Sequence, residues 1–315
     1  MLKLHSPLSG RIRRAAVATA VATAAATLAL LGTAAPAGAV GHVSHTHVSH
    51  TVDITAVEPL AYTVDTHGTL EAGYVHVAFR NQGHVAHQAQ LFRLNDGVTY
   101  AQWLADLHGP NPNAAFFTDA APTGGATPVV PGARQDVWGV LSGGTYVVAC
   151  FVPGPGGVPH VLLGMYQPFE VVGSVPAWAQ QLAPAFGRPA WASIQAHDLT
   201  YTMPPSLVRG ALIRFDDTDS ADVHELNLGK LLPGKTVDDA KGWFAASANN
   251  PLVDPGPPPF TFEGGYGAVV PGQGGWFRVE ADPGRYIAFC LVPDDETGKS
   301  HASMGMVTGF TVLAD

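Results

Sequence analysis

Hydrophobic and polar positions alternate along this chain in short runs rather than in long helical stripes. The stretches YVHVAFR (74–80), ALIRF (211–215), TYVVAC (145–150) and RYIAFC (285–290) are brief and rich in β-branched and aromatic residues, so each predicts a strand. Side chains on a strand point alternately to its two faces, which places Tyr146, Val148 and Cys150 together. Two segments break the pattern, TYAQWLADL (99–107) and TVDDAKGWFAA (236–246). In each, a Thr stands three residues ahead of Gln102 or Asp239, where its hydroxyl can cap free backbone N–H groups. One short helix is therefore expected in each half of an otherwise all-β chain, and 36 Gly and 26 Pro supply the many turns such a fold needs.

The strand pattern occurs twice. Residues 129–153, VVPGARQDVWGVLSGGTYVVACFVP, match 269–293, VVPGQGGWFRVEADPGRYIAFCLVP, without a gap. They share V-V-P-G and then G-x-Y-x-x-x-C-x-V-P. Upstream, FRNQGHVAHQAQLFRL lines up with FDDTDSADVHELNLGKL, so His87 answers His224; downstream, PHVLLGM lines up with SHASMGM. His160 then answers His301 and Met165 answers Met306. A long repeat of this kind indicates one duplicated domain. The expected organisation is a signal segment (1–39), a His-rich tail (40–51), a first domain (52–172), a Pro/Ala-rich linker (173–190) and a second domain (191–315).

The start of the chain changes the picture of where it works. Lys3, Arg11, Arg13 and Arg14 precede an apolar, Ala-rich stretch that ends in small residues, the layout of a secretory signal cleaved after Ala39. A membrane anchor over 15–34 is the competing reading of that stretch. Cleavage removes four of the 16 Lys and Arg and none of the 25 Asp and Glu, leaving a net charge of −13. Such an acidic chain is a poor partner for nucleic acid or anionic membrane, and no membrane insertion is expected of the mature form. Cleavage after Ala39 would also leave Val40-Gly41-His42 at the new N-terminus, where a free amine, two backbone amides and an imidazole suit square-planar Cu(II) or Ni(II). His45, His47 and His50 could add ligands; cleavage after Ala37 instead moves His42 out of place and leaves a plain His-rich tail.

Each copy offers a His, a Cys more than sixty residues later, then a second His and a Met. Two imidazoles, a thiolate and a weak thioether suit copper in both of its common oxidation states. At these residues the chain resembles the cupredoxin family, whose strand-end His and late Cys-His-Met loop are met by His87, Cys150, His160 and Met165, and again by His224, Cys290, His301 and Met306. The Gly164-Met165 and Gly305-Met306 pairs and the endings PFEVV and GFTVL are also similar to the family. The resemblance implies two tandem Greek-key β-sandwich domains, one or two copper ions, electron transfer or copper handling, and a redox or copper-donor protein as partner. One departure stands out: the Cys-to-His gaps, FVPGPGGVP and LVPDDETGKS, are nine and ten residues, longer than the family's usual spacing. A metal-free binding or adhesion module, with Cys in the core and His at the surface, is the rival reading.

Other signals carry less. Cys150 and Cys290 are the only cysteines of a chain expected to be exported, so a disulfide is an open alternative, although equivalent positions of two copies belong to separate cores. Gly229 to Thr236 fits a P-loop expression but lacks a parallel α/β setting. The acidic run at 216–225 lacks the spacing of a calcium loop and is read as a solvated loop that can tune His224. Neither domain body contains an H-x-H pair, and no Ser-His-Asp or H-E-x-x-H arrangement occurs, so no enzymatic activity is expected.

Overall fold

The computed structural model describes residues 50–176, 179, 190–249 and 256–315. The expected signal, most of the tail with His42, His45 and His47, and most of the linker lie outside the described residues.

The first copy runs β1 (His50–Val57), β2 (Ala61–Asp65), β3 (Gly73–Asn81), β4 (His87–Leu94), α1 (Tyr100–Leu107), α2 (Ala114–Phe117), β5 (Ala120–Val129), β6 (Arg134–Leu141), β7 (Gly144–Ala149) and β8 (Tyr166–Val171). The second runs β9 (Ala192–His197), β10 (Thr200–Thr202), β11 (Ser206–Val208), β12 (Leu212–Asp217), β13 (His224–Leu231), α3 (Val237–Asn249), β14 (Phe260–Val269), β15 (Gly274–Arg278), β16 (Gly284–Phe289) and β17 (Val307–Leu313). The expectation of one helix per copy needs correction: the first has two, because Asn113 and the residues after it form the extra turn α2 before β5. The capped starts are as expected. Thr99 accepts from the Gln102 N–H at 3.2 Å, and Thr236 and Asp239 cap one another reciprocally.

Two sheets face each other. One has eight strands in the order β10-β9-β12-β15-β6-β3-β1-β2, the other nine in the order β11-β17-β16-β13-β14-β5-β4-β7-β8. Both sheets cross from one copy to the other, at β15 with β6 and at β14 with β5. Two glutamines reinforce the seam. Gln90 exchanges hydrogen bonds with the Ala268 backbone at 2.7 and 3.0 Å, and Gln135 bonds the Gly265 N–H and Arg278 carbonyl at 3.0 and 2.8 Å.

The strands that carry the cysteines are buried on both faces, which explains why TYVVAC and RYIAFC show no polar alternation. Tyr146, Val148 and Cys150 face the core between the sheets, while Val147 and Ala149 pack under α1 and α2 with Trp103 and Phe116. Tyr286, Ala288 and Cys290 repeat the inner face, and Ile287 and Phe289 meet Phe244 of α3. Full burial of each Val, Ile or Phe among them stabilises the fold by about 1.5–3 kcal/mol. The recurring G-x-Y has a structural purpose: Tyr146 and Tyr286 each donate to the carbonyl four residues back, Ser142 and Asp282, and fix the strand entrance.

Candidate metal centre

In each copy the sheets bring two imidazoles and a thiol to one point, with a Met following closely in the chain. His87 opens β4, Cys150 follows β7, His160 opens a 3₁₀ turn (His160–Leu163) capped by Gly164, and Met165 lies between that cap and β8. His224, Cys290, His301 and Met306 hold the same places around β13, β16, the turn His301–Met304 and β17. All four cysteine and methionine side chains are fully buried, as are the four imidazoles within 2 %.

The long Cys-to-His gap has a simple resolution. Its extra residues leave the site as a closed excursion, pinched at its base by a bridge between Pro153 and Pro159 and by Gly154 N–H to Val158 O at 2.8 Å. Pro293 and Ser300 pinch the second, with Asp294 N–H donating to Lys299 O at 2.9 Å. Below the pinch three backbone bonds tie the donors together. Val161 N–H donates to Cys150 O, His160 N–H to Val152 O and Met165 N–H to His160 O, at 2.7, 3.0 and 2.9 Å. Ala302, His301 and Met306 make the corresponding bonds at the same lengths. The His residues are therefore not surface groups, and neither Cys is in a disulfide.

In the first copy the three donors form a triangle, with His87 Nδ1 3.2 Å from His160 Nδ1 and Cys150 Sγ 3.7 and 3.5 Å from the two nitrogens. A circle through these atoms has a radius of about 2.0 Å, close to the length of a first-row metal–imidazole bond, about 2.0–2.1 Å. In the second copy the printed sides agree: 3.2 Å between His301 and His224 Nδ1, and 3.5 Å from Cys290 Sγ to His301 Nδ1. Both imidazoles of each copy present Nδ1, and Met165 and Met306 are buried in the same cluster as the cysteines. Two imidazoles and one thiol are three strong donors, which fit copper better than a structural zinc site, where four strong nitrogen or sulfur donors are taken.

Protonation is set by burial. Desolvation, reinforced by the neighbouring His160, brings His87 down to about 4, and burial also lowers His160 and His301. These imidazoles are neutral at ordinary pH and keep a lone pair for a cation. Burial pushes the Cys150 thiol up to about 11, against the backbone N–H groups of Gln88 and Val152 and the Tyr62 hydroxyl, which favour the thiolate. Cys290 is pushed up further, by burial first and then by the carboxyl of Glu225. A bound cation must therefore displace the thiol proton.

Two tyrosines outside the repeated segments, Tyr62 and Tyr201, also belong to the sites. Each is buried, donates to the carbonyl next to the first His (Gln88 or Glu225) and lies against the cysteine. The signal was present, since both stand in a Tyr-Thr pair at the start of their copy. His84 is exposed and Met304 partly so, apart from the donors. His50, assigned to the tail, instead opens β1 and lies 3.8 Å from Glu71, so it is not part of an N-terminal chelate with its neighbours. A third group, His197, Asp198 and Asp219, also brings donor atoms together, with the first two exposed.

No protein-family model and no curated protein sequence matches the chain. Solved structures do. A reduced auracyanin from the photosynthetic bacterium Roseiflexus castenholzii is similar at 20 % identity over 39 % of this chain and 95 % of its own, with a TM-score of 0.27. A multicopper oxidase is similar at 15 % identity over 84 % of this chain and 88 % of its own, TM-score 0.21. A copper-containing nitrite reductase from Thermus scotoductus is similar at 14 % over 84 % and 61 %, TM-score 0.22. The last two correct the expectation that the chain is not an enzyme, for both of those proteins are enzymes. The physical reason is visible in the chain itself: the donors that converge are 63 and 73 residues apart, so a missing local H-x-H pair does not limit the sites this fold assembles. Among the described residues no helix is long and apolar enough to cross a membrane. The chain is a tandem of two cupredoxin-like β-sandwiches, each with a buried His-Cys-His group compatible with a copper ion.

Proposed function

We propose that this protein is exported, binds copper at both His-Cys-His groups and transfers electrons. His87, Cys150, His160 and Met165 would hold one ion; His224, Cys290, His301 and Met306 would hold the other. The observation that carries the reading is the donor triangle, whose sides of 3.2, 3.5 and 3.7 Å leave room for a first-row metal ion before any ion arrives. Bound copper supplies a one-electron couple between Cu(I) and Cu(II). The polypeptide supplies the rest. Backbone bonds below the loop pinch hold the donors still, which lowers the reorganisation that electron transfer requires. Burial keeps the imidazoles neutral, and the N–H groups of Gln88 and Val152 favour the thiolate once its proton has left. Fully buried donors favour a retained ion over one handed on, so electron transfer is preferred to copper handling. Val158, Leu162 and Leu163 form an exposed apolar rim beside His160, where a redox protein could approach.

Cu(II) added to the purified mature protein should give an intense blue thiolate-to-copper absorption, halved in Cys150→Ala or Cys290→Ala and absent when both are changed. A colourless protein with two titratable thiols would overturn the proposal and favour a metal-free binding module.

A further inference from the structure

The two donor triangles are alike, but their surroundings carry different charge. Equivalent positions can be read from the backbone. Gln82 N–H donates to Ala56 O as Thr218 N–H does to Ala196 O, both at 2.9 Å. Gly83 N–H then donates to the Asn81 side chain at 2.9 Å, and Asp219 N–H to the Asp217 side chain at 3.0 Å. Asn81 therefore answers Asp217, and Gly83 answers Asp219. One residue beyond the first His, Gln88 answers Glu225. Three neutral residues in the first copy stand where the second has acids.

Asp219 is the acid that touches a donor residue. Its Oδ2 lies 3.4 Å from His224 Nε2, the ring nitrogen opposite the one facing the site, and its side chain is 6 % exposed. In the first copy a Cβ on Gly83 would sit 2.6 Å from His87 Nε2, and that buried nitrogen has no hydrogen-bond partner. An acid does stand near, Glu58 of the turn after β1, but its carboxylate is 38 % exposed and accepts from the His84 N–H at 2.8 Å. Asp219 is held firmly. Its Oδ1 accepts from the N–H groups of Ser220, Ala221 and Asp222, and its Oδ2 from Asp198 N–H at 2.7 Å. Four backbone N–H donors on two oxygens suit a carboxylate and hold it in place behind the imidazole. Asp217, by contrast, accepts from the backbone N–H groups of Asp219 and His224, and Glu225 accepts from the Asn227 side chain and the Leu291 N–H, so their carboxyls are engaged away from the imidazole. Asp219 is thus the acid of this shell that meets a donor imidazole.

We infer that Asp219 makes the second centre the lower-potential one of the pair, by orienting the His224 imidazole and placing a carboxylate behind it. The inference rests on the copper reading above. A carboxylate hydrogen-bonded to a ligand imidazole raises its basicity, and a buried negative charge favours the more positive ion, Cu(II), over Cu(I). Each centre takes up one electron with no bond made or broken. Asp219 acts through His224 and is a positioning residue, and the two centres accept electrons in order, first copy before second.

The test is a redox titration of the copper-loaded full chain, followed by its thiolate-to-copper absorption. Cys290→Ala isolates the first centre and Cys150→Ala the second. The second should hold Cu(II) at least tenfold more strongly against reduction, a separation of about 59 mV or more for one electron. Asp219→Asn should raise the second potential and leave the first unchanged. Equal potentials in the two Cys variants, or an Asp219→Asn change that moves both centres or neither, would overturn the inference. The comparison of the Cys variants stands even if Asp219→Asn fails to fold. Loss of blue absorption in both would instead count against copper binding itself.

Discussion

Between the pinched ends of its loop the first copy carries Gly-Pro-Gly-Gly-Val, the second Asp-Asp-Glu-Thr-Gly-Lys, and the two excursions share no residue pattern. Beneath them, the bonds that tie Cys to His and His to Met agree to 0.1 Å. Around the first His the order is reversed: the backbone bonds match up to Gly83 and Asp219, after which the second copy takes one residue more to its His, and Gly83 leaves a bare imidazole nitrogen where Asp219 supplies a carboxylate. Donor geometry thus comes from the ladders and their pins, whereas the charge felt by the donors is set one layer out. A fold can keep one without the other.

The largest effect that sharpens this contrast is expected from pH. In copper-free protein His87 titrates at about 4, against 6.5 for an unburied imidazole, because burial and His160 disfavour its charged form. The folded value is the depressed one, so the unfolded chain binds protons first as acid is added. Stability is full above about pH 6.5 and is lost as pH falls toward 4, by on the order of 2 kcal/mol for this group. His160 and His301 add to the loss in the same direction. Urea unfolding of the copper-free chain at pH 7 and pH 4.5 measures it, and His87→Asn should flatten the slope. A stability independent of pH across this window would show that the imidazoles are not held neutral.

Gly83→Ala should come next. A Cβ there would lie 2.6 Å from Nε2 and 2.7 Å from Cδ2 of a ring that is wholly buried, so the imidazole must shift. Overpacking of this kind costs about 1–3 kcal/mol. Thermal melting should register that loss, and copper titration should show weakened binding at the first centre with the second intact. Equal weakening at both would mean that the copies are coupled through their shared sheets rather than independent at this layer.

Much of this was legible in the sequence, and for identifiable reasons. The G-x-Y-x-x-x-C-x-V-P match named the strand, its buried cysteine and the tyrosine that locks its entrance. Both His and both Met positions followed from the same self-comparison, because the sheets that gather them are themselves duplicated. What it could not convey is the continuity of both sheets across the two copies, which depends on pairing between β5 and β14 and between β6 and β15 rather than on any local pattern. The acidic run at 216–225 read as a solvated loop, but Asp217 is buried and Asp219 nearly so, because backbone N–H groups take the place of water around them. Tyr62 and Tyr201 lay outside the aligned segments. Their role depends on a turn that carries them over the site from the strand next to β1 or β9.

The smallest effect is expected where the two copies differ most in sequence. If the excursion after Cys150 is outside the site, its tip can be exchanged. Gly154 N–H and Val158 O are already 2.8 Å apart, so Pro155, Gly156 and Gly157 only close a turn, and Gly156 and Gly157 take left-handed backbone at φ 75° and 76°. Asn-Gly in place of these three supplies a two-residue turn with the same preference for positive φ. The bonds of Cys150, Val152, His160 and Val161 lie below the pinch and are untouched. Shortening the loop by one residue changes its closure entropy by well under about 0.6 kcal/mol, so copper affinity at the first centre should change by less than about threefold. Copper titration of this variant in the Cys290→Ala background isolates that centre. A loss of blue absorption there would show that the tip holds His160 in place, and that donor geometry in the first copy rests on its loop after all.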